Sequence, residues 1–166
     1  NFCIKYKDSY SEDFQIFVMD KNNLLDVNVW SGTDYMSNTK GIVTGAGQFV
    51  ESSVEWNDTG ERSLKIISNN SYSNWTDVYT AKVFGDDTVT ASGKILNTDS
   101  DVSIFFVFID SEGNQSFSNS ALIGPSNNPQ DFTLKSSINN DINKIHLRFW
   151  LKGELGSSIY IDDINI

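Results

Sequence analysis

The chain is poor in the residues that staple, kink or coordinate. Its 166 residues include one Cys, one His and two Pro. A single Cys can form neither an internal disulfide nor a Cys-based zinc site. Cations are scarce as well: 12 Lys and Arg against 22 Asp and Glu give a formal net charge of −10. That balance argues against nucleic-acid binding, which needs Lys and Arg to replace counterions along phosphates. Long apolar runs are missing. The longest, Ile104 to Ile109, has the length of a strand and falls well short of the roughly 20 residues of a bilayer-spanning helix. Membrane insertion is therefore not expected, and no window carries the i, i+3, i+4, i+7 apolar stripe of an amphipathic helix. What is abundant is aromatic: 11 Phe, 6 Tyr and 4 Trp make up 13% of the sequence. With 39% hydrophobic residues this argues against disorder, and the length suits a single core.

The dominant period is two. Ile145, Leu147, Phe149 and Leu151 alternate with His146, Arg148, Trp150 and Lys152, the pattern of a strand with one buried face. Val102, Ile104, Phe106 and Phe108 alternate with Ser103, Phe105, Val107 and Ile109, so this strand is expected to be buried on both faces and central in its sheet. Val89 to Ile95 alternates too, and Ser63 to Ile67, Val78 to Val83, Asp131 to Lys135 and Ser158 to Ile166 are further strand predictions. Polar turn clusters separate them, such as Asn57-Asp58-Thr59-Gly60 and Ser111-Glu112-Gly113-Asn114. Many short strands with polar turns predict an all-β, two-sheet antiparallel sandwich.

Residues 1–22 read as a separate hairpin or extension. Phe2, Ile4 and Tyr6 face Phe14, Ile16 and Val18 across the polar turn Asp8 to Asp13, and Asp20-Lys21-Asn22-Asn23 reads as a hinge before a domain at 23–166. This hairpin either adds an edge to the sandwich or ends a preceding unit. The start at Asn1 and the finish on a strand-like run are expected of a processed protein or an excised domain of a larger one.

From Asn23 onward the order of landmarks resembles a jelly-roll carbohydrate-binding module of the type attached to xylanases and glucanases. The landmarks are Asn23-Leu24-Leu25, Trp30-Ser31-Gly32, Gly60-Glu61-Arg62-Ser63-Leu64-Lys65-Ile66 and Trp75-Thr76-Asp77-Val78. Thr88 to Ile95, Val102 to Asp110 and the closing Ile159-Tyr160-Ile161-Asp162-Asp163-Ile164 complete them. The resemblance implies a galactose-binding-like jelly roll and an extracellular or cell-surface location. It also implies a structural calcium, held in the family by a Glu at the end of the opening strand together with the terminal Asp pair. Here Val29 and Trp30 occupy the Phe-Glu places, and indole cannot ligate a hard cation. Asp162 and Asp163 are the residues that would hold calcium, with Asp26 or Asp34 in place of the Glu. The competing reading is a strand end whose carboxylates cap loop amides.

A sugar offers apolar C–H faces that stack on flat rings and hydroxyls that need hydrogen-bond partners. Trp150, flanked by Arg148 and Lys152 on the face that also carries His146, answers that requirement. The bland alternative has Trp150 covering a loop while the cations keep their heads in water. The resemblance places Trp75 on the binding sheet as well; otherwise it plugs the sandwich end. Tyr79 is expected in the core, and Phe105 or Phe106 must face away from it. Trp30, Trp56, Tyr35 and Tyr72 could rim a cleft. The negative net charge favours a neutral glycan over a polyanion, although Arg148 and Lys152 could still attract a uronic acid.

Catalysis finds little support. A glycosidase needs two carboxyls roughly 5–10 Å apart across the scissile bond, and the terminal Asp pair, on adjacent strand positions, is expected to point in opposite directions. His146 has no recognisable nucleophile partner, no Gly-x-Ser-x-Gly elbow exists, and Cys3 reads as a small hydrophobe. Gly41 to Gly47 lacks the following Lys-Ser/Thr of a phosphate loop and reads as a flexible loop. Two functions stay open: a non-catalytic glycan-binding module, or a structural or adhesive sandwich of a cell-surface adhesin or a phage tail fibre, the latter placing it on a virion.

Overall fold

Strands make up the regular structure, as the period of two predicts. The computed structural model describes residues 2–5, 15–18, 43–44, 48–58, 62–68, 74–82 and 88–166, and among them there is no helix. β1 (Phe2–Lys5) and β2 (Gln15–Val18) form a two-stranded antiparallel sheet of their own, with Phe2 opposite Val18. The expected hinge at 20–23 lies outside the described residues. There follow β3 (Val43–Thr44), β4 (Gln48–Ser53), β5 (Ser63–Ser68), β6 (Asn74–Lys82), β7 (Thr88–Asn97) and β8 (Asp101–Asp110). The chain continues through β9 (Gln115–Phe117), β10 (Ala121–Ile123), β11 (Ser126–Ser137), β12 (Ile142–Lys152) and β13 (Ser158–Asn165).

The first of two antiparallel sheets runs β10-β8-β12-β6-β3, with β9 pairing further along β8; the second runs β11-β7-β13-β5-β4. Their inner faces make one core. From the first sheet come Ile104, Phe106, Ile145, Leu147, Phe149 and Leu151; from the second, Leu64, Ile66, Ile95, Ile159 and Ile161, all fully buried. Each such side chain contributes about 1.5–3 kcal/mol relative to exposure, so the core outweighs any surface pair. β8 is buried on both faces, as expected: Phe105 and Val107, outside the core cluster, are covered as well.

Three boundaries differ from expectation. The Gly41 to Gly47 stretch is not simply a loop, because Val43 and Thr44 pair with Asp77 and Thr76 of β6; two β-branched residues suffice for a short edge strand. β6 starts at Asn74, which brings Trp75 inside the strand. β11 is far longer than Asp131 to Lys135 and includes Pro129, which an edge strand tolerates because its outward amide needs no ladder partner. Tyr79 registers opposite the core residue Leu147; its side chain lies outside the described residues.

One inward position is glycine. Phe132 of β11 registers opposite Gly93 of β7, and its ring lies over the site, 2.8 Å from where a Cβ would stand. The same ring meets Phe149 of the other sheet edge-on, with centroids 5.6 Å apart and planes at 86°. The missing side chain of Gly93 thus sets the seat of the aromatic that joins the sheets. Gly93→Ala is expected to cost about 1–3 kcal/mol by overpacking, read from urea unfolding. Gly124→Ala, where the nearest atom is 3.9 Å away, should stay within about 0.5 kcal/mol.

Candidate functional site

The outer face of the first sheet collects what its core face does not use. Along β12 the outward positions are Lys144, His146, Arg148, Trp150 and Lys152, and the ladder sets their neighbours. Trp150 stands between Trp75 of β6 and Ser103 of β8, and Ser103 faces Leu122 of β10. Arg148 stands between Asp77 and Phe105, while His146 is opposite Val107, itself opposite Phe117 of β9. All four residues singled out for ligand binding, His146, Arg148, Trp150 and Trp75, therefore share one face.

The face divides into two parts. Around Phe105, three rings meet: Trp150 at a centroid distance of 6.1 Å and Phe117 edge-on at 5.9 Å. Phe105 is the covered floor, whereas Trp150 is 36% and Phe117 58% exposed. An open depression of about 260 Å³ lies between them, bounded by Ser103, Ser118, Ser120 and Lys152. Phe117 carried no sequence signal beyond a short alternating stretch after a turn, because its strand has only three residues.

The second part is a clamped charge. Arg148 donates from Nε to Asp77 Oδ1 at 2.6 Å and from Nη2 to Oδ2 at 2.9 Å, a bidentate pair. Its guanidinium carbon lies 4.0 Å from the Trp75 ring centroid, a cation–π stack that holds the indole against the sheet. A register shift between Leu147 and Arg148 places the extra residue Val78 in β6, and Val78 is buried in the core. The head of Arg148 is thus not in water, against the bland alternative in which the cations snorkel: its side chain is 12% exposed. The reason is Asp77, a buried carboxylate that must be paired.

His146 is buried beside this pair, with Nδ1 3.8 Å from Asp77 Oδ2. Burial pushes its imidazole below the ordinary 6.5; Asp77 opposes the shift, and Lys144 and Arg148 add to it.

The residues expected to bind calcium sit at the other sheet. Asp162 is fully buried; its Oδ2 accepts the Asp58 amide at 2.8 Å and its Oδ1 the Asp163 amide at 2.9 Å. Asp163 has φ of 52° and the β13–β7 register shifts between Asp162 and Asn165, so the strand alternation breaks there. Asp58 is in turn held by Lys94 at 2.7 Å, which lowers its pKa. Among the described residues no group of three or more His, Cys, Asp or Glu is arranged to hold a metal ion. Calcium takes six to eight oxygens, so these donors do not complete a site; the positions of Val29, Trp30, Asp26 and Asp34 lie outside the described residues.

Trp56 does not rim the aromatic depression. It packs edge-on against Tyr160 on the second sheet, centroids 6.5 Å apart, where Tyr160 donates to Glu55 and Lys65 pairs with the same carboxylate at 2.6 Å. Trp30, Tyr35 and Tyr72 lie outside the described residues.

The His146 environment has a measurable consequence. With a folded pKa below the unfolded value, the unfolded chain takes up the proton first as pH falls. The contribution of neutral His146 is complete above about pH 6.5 and is lost as pH falls through 6.5 toward the folded value. Thermal unfolding between about pH 7 and 5 is expected to show a shallower loss of Tm for His146→Gln than for the parent chain. Equal slopes would place the imidazole in water.

No family model matches the chain, and no curated protein does. Solved structures match its fold. Tailspike protein 4 of bacteriophage CBA120, in its enzymatically active domain, superposes with a TM-score of 0.67 at 15% identity over 87% of this chain. The match spans about a fifth of the tailspike chain, 21%. The CBM22-1 xylan-binding domain of Paenibacillus barcinonensis Xyn10C gives 0.61 at 13% identity, covering 86% of this chain and 92% of the other. TmCBM61, solved with β-1,4-galactotriose, gives 0.54 at 13% identity, covering 78% and 89%. At such identities the likeness speaks for the fold: this chain has the jelly-roll β-sandwich of carbohydrate-binding modules.

Proposed function

We propose that the outer face of the first sheet binds a polysaccharide or oligosaccharide without chemical turnover, as one module of a larger secreted, surface or virion protein. The observation that carries this reading is the open aromatic depression of Phe105, Phe117 and Trp150. Two rings exposed beside serines and an ammonium give apolar faces for C–H stacking and polar groups for hydroxyls. Solved neighbours of the same fold bind xylan and a galactotriose, which supports the ligand class. Trp75 and Arg148 act together: the Asp77 clamp fixes the guanidinium, and the guanidinium fixes the indole that borders Trp150. His146 lies beside this clamp on the same face.

A hydrolytic role draws no support from the face. Asp77 is spent on Arg148, and the lining of the depression includes no carboxylate, whereas glycoside hydrolysis needs two facing carboxyls. A second reading is a structural or adhesive sandwich in a phage tail assembly, favoured by the tailspike match. It predicts no affinity for free glycans.

Trp150→Ala and Phe117→Ala are expected to weaken binding by about 1–3 kcal/mol each with little change in Tm, measured by affinity electrophoresis against xylan, β-glucan, galactan and acidic polysaccharides. Full affinity in both variants would move the site to another face. Calcium, if held by Asp162 and Asp163, needs oxygens from the 23–34 segment, and a chelator would then lower Tm. Amide capping by Asp162 alone predicts no change.

A further inference from the structure

We infer that the glycan bound on the first sheet is acidic, its anionic group recognised by Lys152. The inference rests on the glycan-binding reading above and sharpens it. The net charge of −10 argued for a neutral ligand, but the charge lining the depression has the opposite sign. On the second sheet, Lys65 lies 2.6 Å from Glu55 and 3.6 Å from Glu51, and Lys94 lies 2.7 Å from Asp58. Those ammonium groups are neutralised where they stand.

Lys135 of that sheet, on β11 and away from the aromatic depression, makes no ion pair among the described residues; the first sheet differs in what surrounds its free cation. Its buried carboxylate, Asp77, is matched by Arg148. Lys152 and Lys144 pair with no carboxylate among the described residues. Asp101, opposite Lys152 in the ladder, makes no ion pair with it. The depression is lined by one cation and no anion. Lys152 Nζ stands 6.0 Å from the centroid of Trp150, so a pyranose stacked on the exposed rings would bring a carboxylate substituent to the ammonium. Repulsion from the distant acidic groups is screened beyond about 8–10 Å at physiological salt, whereas an ion pair at contact is screened much less. Low-dielectric walls of aromatic carbon focus the local field further.

The test is a glycan array carrying uronic-acid and sialic-acid glycans beside neutral xylan, β-glucan, mannan and galactan. It is followed by titration of polygalacturonate and its methyl ester, or of the best acidic binder and its ester. The expected result is binding to acidic members, loss of affinity on esterification, and weakening with added salt. Lys152→Gln should reduce affinity for the acidic ligand about fivefold, the equivalent of one water-exposed ion pair, and weaken binding of the ester clearly less. Lys135→Gln, exposed on β11 of the other sheet, changes the net charge equally and should have no effect. Binding confined to neutral glycans, or a Lys152→Gln variant that binds as the parent does, would overturn the acidic ligand while leaving glycan binding intact. No binding to any member would overturn both.

Discussion

The register of β12 between β8 and β6 is the constraint on which the rest depends. β12 contributes Ile145, Leu147, Phe149 and Leu151 to the core and, on alternate positions, His146, Arg148, Trp150 and Lys152 to the outer face. A slip by one residue would put a guanidinium and an imidazole into the core and four apolar side chains into water. The fully buried inner residues therefore specify where the outer ones stand, and β8 fixes the same register from the opposite side. Folding energy and site geometry come from one strand.

The outer face adds a second, polar level of specification. Asp77 is buried, and removing a carboxylate from water is costly unless it is paired and hydrogen-bonded. Arg148 meets both of its oxygens, yet a buried ion pair of this kind often contributes little net stability compared with apolar residues of similar shape. Its value here is positional. The planar guanidinium, held at two points, presents its own face to Trp75, and lysine would provide neither the fork nor the flat surface. The bulge at Val78 is what lets one β6 strand send Val78 inward and still align Asp77 with Arg148.

Much of this was legible from period alone. The alternation of residues 145–152 identified the strand, its core face and the outward Trp150, and the all-apolar run at 104–109 identified a strand covered on both sides. Phe117 and Asp77 were not legible. Phe117 lies in a strand too short to show a period, and it meets Phe105 diagonally across the β8–β9 hairpin, past its ladder partner Val107. Asp77 sat within a motif read for its Trp, and its burial follows from a bulge, which alters parity without any residue signature. Asp163 failed the parity argument for a related reason: a left-handed backbone at a non-glycine residue breaks the alternation. Local periodicity thus reports faces well and fails where the ladder is irregular.

Shared architecture explains little of the ligand preference. Neighbours at 10–15% identity keep the sandwich because a core needs only suitable volume and alternation, and those demands fall on inward positions. Outward positions on β8, β9 and β12 are free of them, so each chain can present a different chemistry on the same frame. In this chain the freedom is used in a particular way. Phe105, Phe117 and Trp150 cluster on this face, its buried carboxylate Asp77 is matched by Arg148, and Lys152 at the edge of the rings makes no ion pair among the described residues. An acidic protein that sets Lys152 beside exposed rings, with no ion pair among the described residues, places positive charge where a ligand would stack. Selection for solubility alone would be served equally by lysines on any exposed strand. The location of Lys152 next to Trp150 is therefore the feature that ties charge to recognition.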